Sequence, residues 1–318
     1  MGENEISDDM LFAIHDIEPF QVVIASLSVL LTGSVVFILI QNYNELVRDK
    51  PFVHIILMMA LADTMSSIAL AFGFPENDIV CTVQGFIFVF FGRLSWFFLD
   101  FLVIQLYYFA KYQKLFFTIW QIHYVVWPIS ILLQVGVFLT KNGYGNSQDD
   151  LIDDVHQVGV CFYSKQAGSL SSYFAWSTFA FTAELLISFL FILVVTIIVL
   201  FLRDNEDTSI LVPVVSSVKK TIILYPISQL ITALPGIIYA LYHVWYFNTH
   251  DENFPPHYVF RQDLLVAITP LNNIFFAIIF YTKTDEAMRK WKDIYRYIFN
   301  IETTMDQDRL LSKDSIQY

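Results

Sequence analysis

Seven long apolar stretches decide what this chain can become. They run from Pro19 to Ile40, Phe52 to Phe74, Val83 to Ala110, Phe117 to Thr140, Tyr173 to Leu202, Thr221 to Phe247 and Leu264 to Thr282. A helix rises about 1.5 Å per residue and needs roughly 20 apolar residues to cross a hydrocarbon core, and each stretch is of that order. In lipid only helices and closed barrels satisfy their own backbone, and barrel strands of about 10 residues are too short for these runs. The reading is an all-α membrane protein, a bundle of seven transmembrane helices. Composition agrees, with 56% hydrophobic and 15% charged residues, where a soluble domain carries about 25% charged.

The early acids Glu3, Glu5, Asp8, Asp9, Asp16 and Glu18 have no Lys or Arg among them. Without a basic n-region or a small-residue cleavage site, this start does not read as a removable signal peptide. The first span is expected to act as its own insertion signal. With the N-terminus outside, the inner segments hold Arg48, Lys50, Lys111, Lys114, Arg203, Lys219, Lys220, Lys283 and the basic residues from Arg289 to Lys313. The outer segments hold Lys141, Lys165 and Arg261, a positive-inside distribution. Residues 1–18 then form an extracellular segment and 19–283 the seven-helix domain. An amphipathic helix on the inner leaflet is predicted at 284–299, followed by a disordered cytoplasmic tail at 300–318. The expectation is a multi-pass protein of the plasma membrane.

Both cysteines fall on the outer side. Cys81 opens the third span and Cys161 lies in the second outer loop. On that oxidising side thiols pair, and a bridge would pin the loop across the third helix, contributing about 3–4 kcal/mol through loop entropy. Two unrelated buried cysteines are the alternative.

The third span reads Cys81-Thr82-Val83-Gln84-Gly85-Phe86, then Phe90-Phe91-Gly92-Arg93-Leu94-Ser95-Trp96, and reaches Tyr107; the sixth holds Leu224-Tyr225-Pro226 and then Pro235. With the outer cysteine pair, these features resemble the cyclic AMP receptor-like family of G-protein-coupled receptors, from about residue 20 to 300. The resemblance implies a Cys81–Cys161 disulfide, an extracellular ligand and a heterotrimeric G protein as partner. Departures from rhodopsin-like receptors are plain. Their acid-Arg-aromatic triplet would fall near Gln105-Leu106-Tyr107, and Asn272-Asn273 replaces an Asn-Pro pair. Retinal proteins need a Lys midway along the seventh helix, whereas Lys283 lies at its inner end.

Ionisable residues at membrane depth usually face the interior and mark function. Asp63, Arg93, Asp100 and Glu184 qualify. Arg93 is twelve residues beyond Cys81, about 18 Å down at the helical rise. In a receptor bundle the third helix touches the second and fifth, so Arg93 is expected to pair with Asp63 or Glu184. Asp63 is favoured because a short loop joins its helix to the third. Asn272 and Asn273 would extend this network. The pair is read either as a lock that breaks on activation or as a permanent bridge fixing helix register.

Pro226 and Pro235 interrupt the sixth span and are read as its hinge. Pro128 and Pro270 are read as fixed kinks. Lys111, Lys114, Lys219 and Lys220 lie where a G protein or lipid phosphate would be met, with topology and snorkelling as their other role. In the tail, Asp306 to Leu311 forms an acidic dileucine pattern of the kind clathrin adaptors bind. Thr303, Thr304, Ser312 and Ser315 are candidate receptor-kinase sites, with arrestin as the follower.

The ligand pocket is expected between the outer halves of helices three, five, six and seven, at Gln84, Phe88, Trp176, Tyr239, His243, Arg261 and Gln262. The acidic outer segments repel anions, which disfavours cyclic AMP as ligand. No metal, cofactor or nucleic-acid site is predicted, and no catalytic constellation appears. His54, His123 and His243 read as peripheral. The alternative from another class is an ion- or proton-coupled transporter using Asp63, Arg93 and Glu184, against which stands the lack of an internal repeat.

Overall fold

The computed structural model describes residues 3–48, 50–73, 78–139, 143–145, 162–164, 183–202, 219–249 and 268–283. The helices are α1 (Glu3–Gln41), the single turn α2 (Tyr43–Leu46), α3 (Pro51–Ala71), α4 (Asp78–Tyr112), α5 (Ile119–Leu139), α6 (Glu184–Phe201), α7 (Leu224–Thr249) and α8 (Pro270–Lys283). Between α5 and α6, strands β1 (Gly143–Gly145) and β2 (Phe162–Ser164) pair antiparallel, with Tyr144 opposite Tyr163. All seven predicted spans thus carry a long helix. The described parts of five suffice in length and apolarity to cross a membrane: Pro19–Gln41, Pro51–Ala71, Val83–Tyr112, Glu184–Phe201 and Lys219–Ile238.

The chain divides into two compact units, Met1–Ile279 and Phe280–Tyr318. Of the second, residues 280–283 are described, as the end of α8. The predicted inner-leaflet helix at 284–299 and the tail beyond it lie outside the described residues.

Helix ends depart from the apolar stretches for identifiable reasons. α1 begins at Glu3 and runs through Pro19, so the helix of the first span extends back over residues 3–18. α4 ends at Tyr112 because Gln113 takes a left-handed φ of 55°, which stops a helix. Before α7, a helical turn from Lys219 is interrupted at Ile223. Pro226 has no N–H for the carbonyl of Ile222, so the ladder lapses there. The helix is interrupted at Thr269, just before Pro270, and the Asn272 N–H reaches the Thr269 carbonyl at 3.2 Å in an i to i+3 turn. Pro128 and Pro235, by contrast, are absorbed within α5 and α7.

The third span, α4, is the axis of the first unit. It packs on α3, α5, α6 and the strand β1, while α1 packs on α3 and α6 on α7. Leu94, Phe98, Leu99, Leu102 and Leu106 give α4 a fully buried stripe. Hydroxyls join α1 to α3: Ser28 and Ser67 lie 2.8 Å apart, and Thr64 donates to Thr32 at 2.9 Å. Such contacts suit lipid, where helices associate through close packing and hydrogen bonds. Leu30, Trp120, Ile187 and Phe201 are exposed on the outside of the bundle, as a hydrocarbon solvent permits.

Gln105, at the position expected for a charged triplet, organises the turn between α4 and α5. Its Oε1 accepts from the N–H groups of Phe116 (2.8 Å) and Phe117 (3.3 Å), and its Nε2 donates to the Phe117 carbonyl. Replacing it with Leu leaves those backbone groups without their partner. The expected cost for Gln105→Leu is about 1–3 kcal/mol, read as a lower thermal unfolding midpoint in detergent; an unchanged midpoint would show the turn holds itself.

Candidate functional site

Two polar networks, one on α4 and one on α3, together draw a side chain from every long helix. The first is centred on Arg93, which is buried. Its Nε lies 2.9 Å from Oε2 of Glu184 at the start of α6, and its Nη1 donates to Oε1 of Gln134 on α5 at 3.1 Å. The Glu184 oxygen sits off the N–H axis, so the contact is an ion pair more than an aligned hydrogen bond. Ala183, just before Glu184, is in a π-helical turn, a local widening frequent at functional sites. Farther along the same two helices, Ser188 Oγ lies 2.9 Å and 2.8 Å from the two carboxylate oxygens of Asp100. Both links run between α4 and α6.

This corrects the expected partner of Arg93. Asp63 on α3 is buried too, yet its carboxylate lies near Ser95 on α4, and its Oδ2 has no hydrogen-bond partner. Adjacency in sequence argued for Asp63, but the rotation of α4 turns Arg93 toward α5 and α6 and leaves α3 facing Ser95.

The second network starts from α3. Asn273 Nδ2 donates to Ser67 Oγ at 2.9 Å and to the Asp63 carbonyl at 3.4 Å. Ser67 in turn meets Ser28 of α1. Asn272 Nδ2 reaches Asn273 Oδ1 at 3.4 Å, and Thr232 of α7 donates to Asn272 Oδ1 at 3.1 Å. The paired asparagines thus join Ser67 and the Asp63 backbone, where a link to Arg93 was expected. Just beyond Thr232 come Pro235 and Gly236, and a Cβ at Gly236 would meet nothing within 4 Å.

The expected ligand residues divide. Gln84 is buried with its Nε2 donating to the carbonyls of Ala69 (2.8 Å) and Gly73 (2.6 Å) at the end of α3. It faces α3 instead of a cavity among helices three, five, six and seven. Phe88 is buried, and its carbonyl accepts from Ser66 at 3.4 Å. Trp176, Arg261, Gln262 and Cys161 lie outside the described residues, as do the side chains of Tyr239, His243 and Cys81. On the basic side, Lys219 Nζ donates to the Leu202 carbonyl at 2.6 Å, capping the end of α6. Lys111 lies 3.1 Å from the Tyr107 hydroxyl, and Lys114 and Lys220 are exposed.

One participant, Gln134, escaped the sequence reading, and the pair His54 and His123, read there as peripheral, joins two helices. The imidazoles meet Nε2 to Nε2 at 2.9 Å, joining α3 to α5, and Trp127 Nε1 donates to His123 Nδ1 at 3.1 Å. An isolated polar residue four positions from a Trp in an apolar run was the available signal.

No protein-family model and no curated protein matches the sequence. Among solved structures, that of squid rhodopsin matches with a TM-score of 0.61 at 14% identity, over 97% of this chain and 92% of that one. The fold is therefore the one seen in squid rhodopsin, a helical, multi-pass membrane bundle.

The Arg93 pairing is measurable by a double-mutant cycle. Glu184→Ala, which strips a buried guanidinium of its carboxylate, is expected to cost about 3 kcal/mol or more. Combined with Arg93→Ala the loss is expected to be less than additive by ~1 kcal/mol or more, whereas Asp63→Asn and Arg93→Ala add to within about 0.5 kcal/mol. Strong coupling between Asp63 and Arg93 would return the pair to α3.

Proposed function

We propose that this protein is a seven-helix receptor that passes an extracellular signal to a heterotrimeric G protein, with its N-terminus outside, in the plasma membrane. The observation that carries the reading is the Arg93 clamp: one buried cation on the axial helix holds α5 and α6 together through Gln134 and Glu184. Fold alone does not give function. A charge link between packed helices that has a second available arrangement, however, is the kind of element a ligand biases. Breaking it removes one of the two polar links between α6 and α4, and the helical path is weakened at Ile223, just before α7, and at Pro235-Gly236 within it, so the inner end of α7 is the part able to swing. Pro226 acts at the first of these points, by withholding its N–H.

The subtype we favour is the cyclic AMP receptor-like one, on the motifs of the third and sixth spans, with a ligand other than cyclic AMP because the outer segments are acidic. Lys111, Lys114 and Lys220 would meet the G protein at the inner face, with 284–299 lying along the leaflet. Receptor kinase, arrestin or clathrin adaptor would act on the tail. No cofactor is required.

A Cys81–Cys161 disulfide belongs to this reading. Cys161 immediately precedes β2, whose partner strand packs on α4. Non-reducing peptide mapping is expected to recover the two cysteines as one linked species; two free thiols would remove the bridge.

One observation favours a transporter instead, namely the buried Asp63 oxygen without a hydrogen-bond partner, a position suited to a cation. Nucleotide exchange decides between them. Membranes carrying the full chain, tested against a panel of heterotrimeric G proteins, are expected to raise exchange above background, and Arg93→Ala or Glu184→Gln to change that rate. Silence with every Gα, basally and with crude ligand extracts, together with ion uptake lost in Asp63→Asn, would replace the receptor by the transporter.

A further inference from the structure

A cavity of about 500 Å³ opens where α1 ends, α3 begins and the α4–α5 turn enters α5. Its lining includes Tyr43, Arg48, the joined imidazoles of His54 and His123, and the aromatic faces of Phe116 and Trp120. None of these residues belongs to the networks on Arg93 and Asp63.

We propose that this cavity seats the phosphate-bearing headgroup of an anionic phospholipid, with Arg48 as its principal ligand. Three observations carry the proposal. No acidic residue is among those lining the cavity, where Arg48 supplies the charge. Arg48 is exposed and pairs with no carboxylate among the described residues, leaving its planar fork of donors available for a phosphate. Phe116 and Trp120 are 48% and 72% exposed, and such aromatic surface at the rim suits the glycerol and upper acyl region of a lipid. A free phosphate has no use for those walls, which is why the source assigned is a lipid.

The setting agrees with the chemistry. Arg48, Lys50, Lys111 and Lys114 lie on the end of the bundle that charge distribution assigns to the inner leaflet, where anionic lipids concentrate. That assignment rests on the orientation proposed above. A divalent metal on the two imidazoles fits less well, because Trp127 already donates to His123 Nδ1. The ring must then keep its proton on Nε2, the atom a metal would need.

The test uses the full chain in nanodiscs of phosphatidylcholine containing phosphatidylinositol 4,5-bisphosphate, with bound lipid read by native mass spectrometry. Phosphoinositide is expected to be retained over phosphatidylcholine, and Arg48→Gln to weaken its binding by roughly ten-fold or more, the worth of a charge-assisted hydrogen bond. Arg48→Lys is expected to keep part of the affinity. Lys114→Gln, a cation on the same face outside the cavity, is expected to lose no more than the roughly five-fold of diffuse surface attraction. Equal losses for Arg48→Gln and Lys114→Gln would overturn the site in favour of a merely cationic surface. Soluble inositol trisphosphate binding as tightly as the lipid would overturn the lipid as occupant. Nanodiscs expose both leaflets, so the result stands whichever way the chain faces; labelling of a terminal tag on intact cells tests orientation by itself.

Discussion

Arg93 sits where a charge is most costly, in the middle of an apolar bundle, and the arrangement of three helices follows from that cost. A guanidinium in hydrocarbon needs both a counter-charge and hydrogen-bond acceptors. α6 supplies the carboxylate of Glu184 and α5 the amide oxygen of Gln134. Neither helix can rotate about its axis without withdrawing its contribution. One side chain on α4 therefore sets the rotation of two neighbours, which apolar packing against lipid-like surfaces would leave almost undetermined. Ser188 on Asp100 repeats the constraint farther along α6, so the helix is held at two points.

The second network works by number more than by strength. Ser28, Ser67, Asn273, Asn272 and Thr232 link α1, α3, α8 and α7 through neutral hydrogen bonds. In membranes such bonds contribute roughly 0.6 kcal/mol each. A chain of weak links suits elements that must rearrange, whereas the Arg93 pair suits elements held in register.

The seven spans were legible because length and apolarity follow directly from the thickness of a bilayer. Rotation was not. In a soluble helix the buried face is apolar and the exposed face polar, so the sequence carries its own orientation. In lipid both faces are apolar, and only scattered polar residues mark the inside. Asp63, Arg93, Asp100, Glu184, Asn272 and Asn273 were found in that way. Their partners were harder, because Arg93 has carboxylates at similar depth on two neighbouring helices, and the choice depends on an azimuth that loop length does not report. Gln84 was placed in a ligand cavity on depth alone and instead ties α4 to the end of α3. His54 and His123, 69 positions apart, looked peripheral because nothing local connects them.

That histidine contact has a direction. An indole N–H only donates, so Trp127 makes His123 Nδ1 an acceptor and confines the ring's proton to Nε2. His123 then donates to His54 Nε2, which confines the His54 proton to Nδ1, a buried atom with no hydrogen-bond partner. The tautomer of each ring is thus inherited from the one before it, starting at a tryptophan that touches only the first. Two side chains that are symmetric by name become, in this fold, an ordered relay of dipoles pointing from α5 into α3.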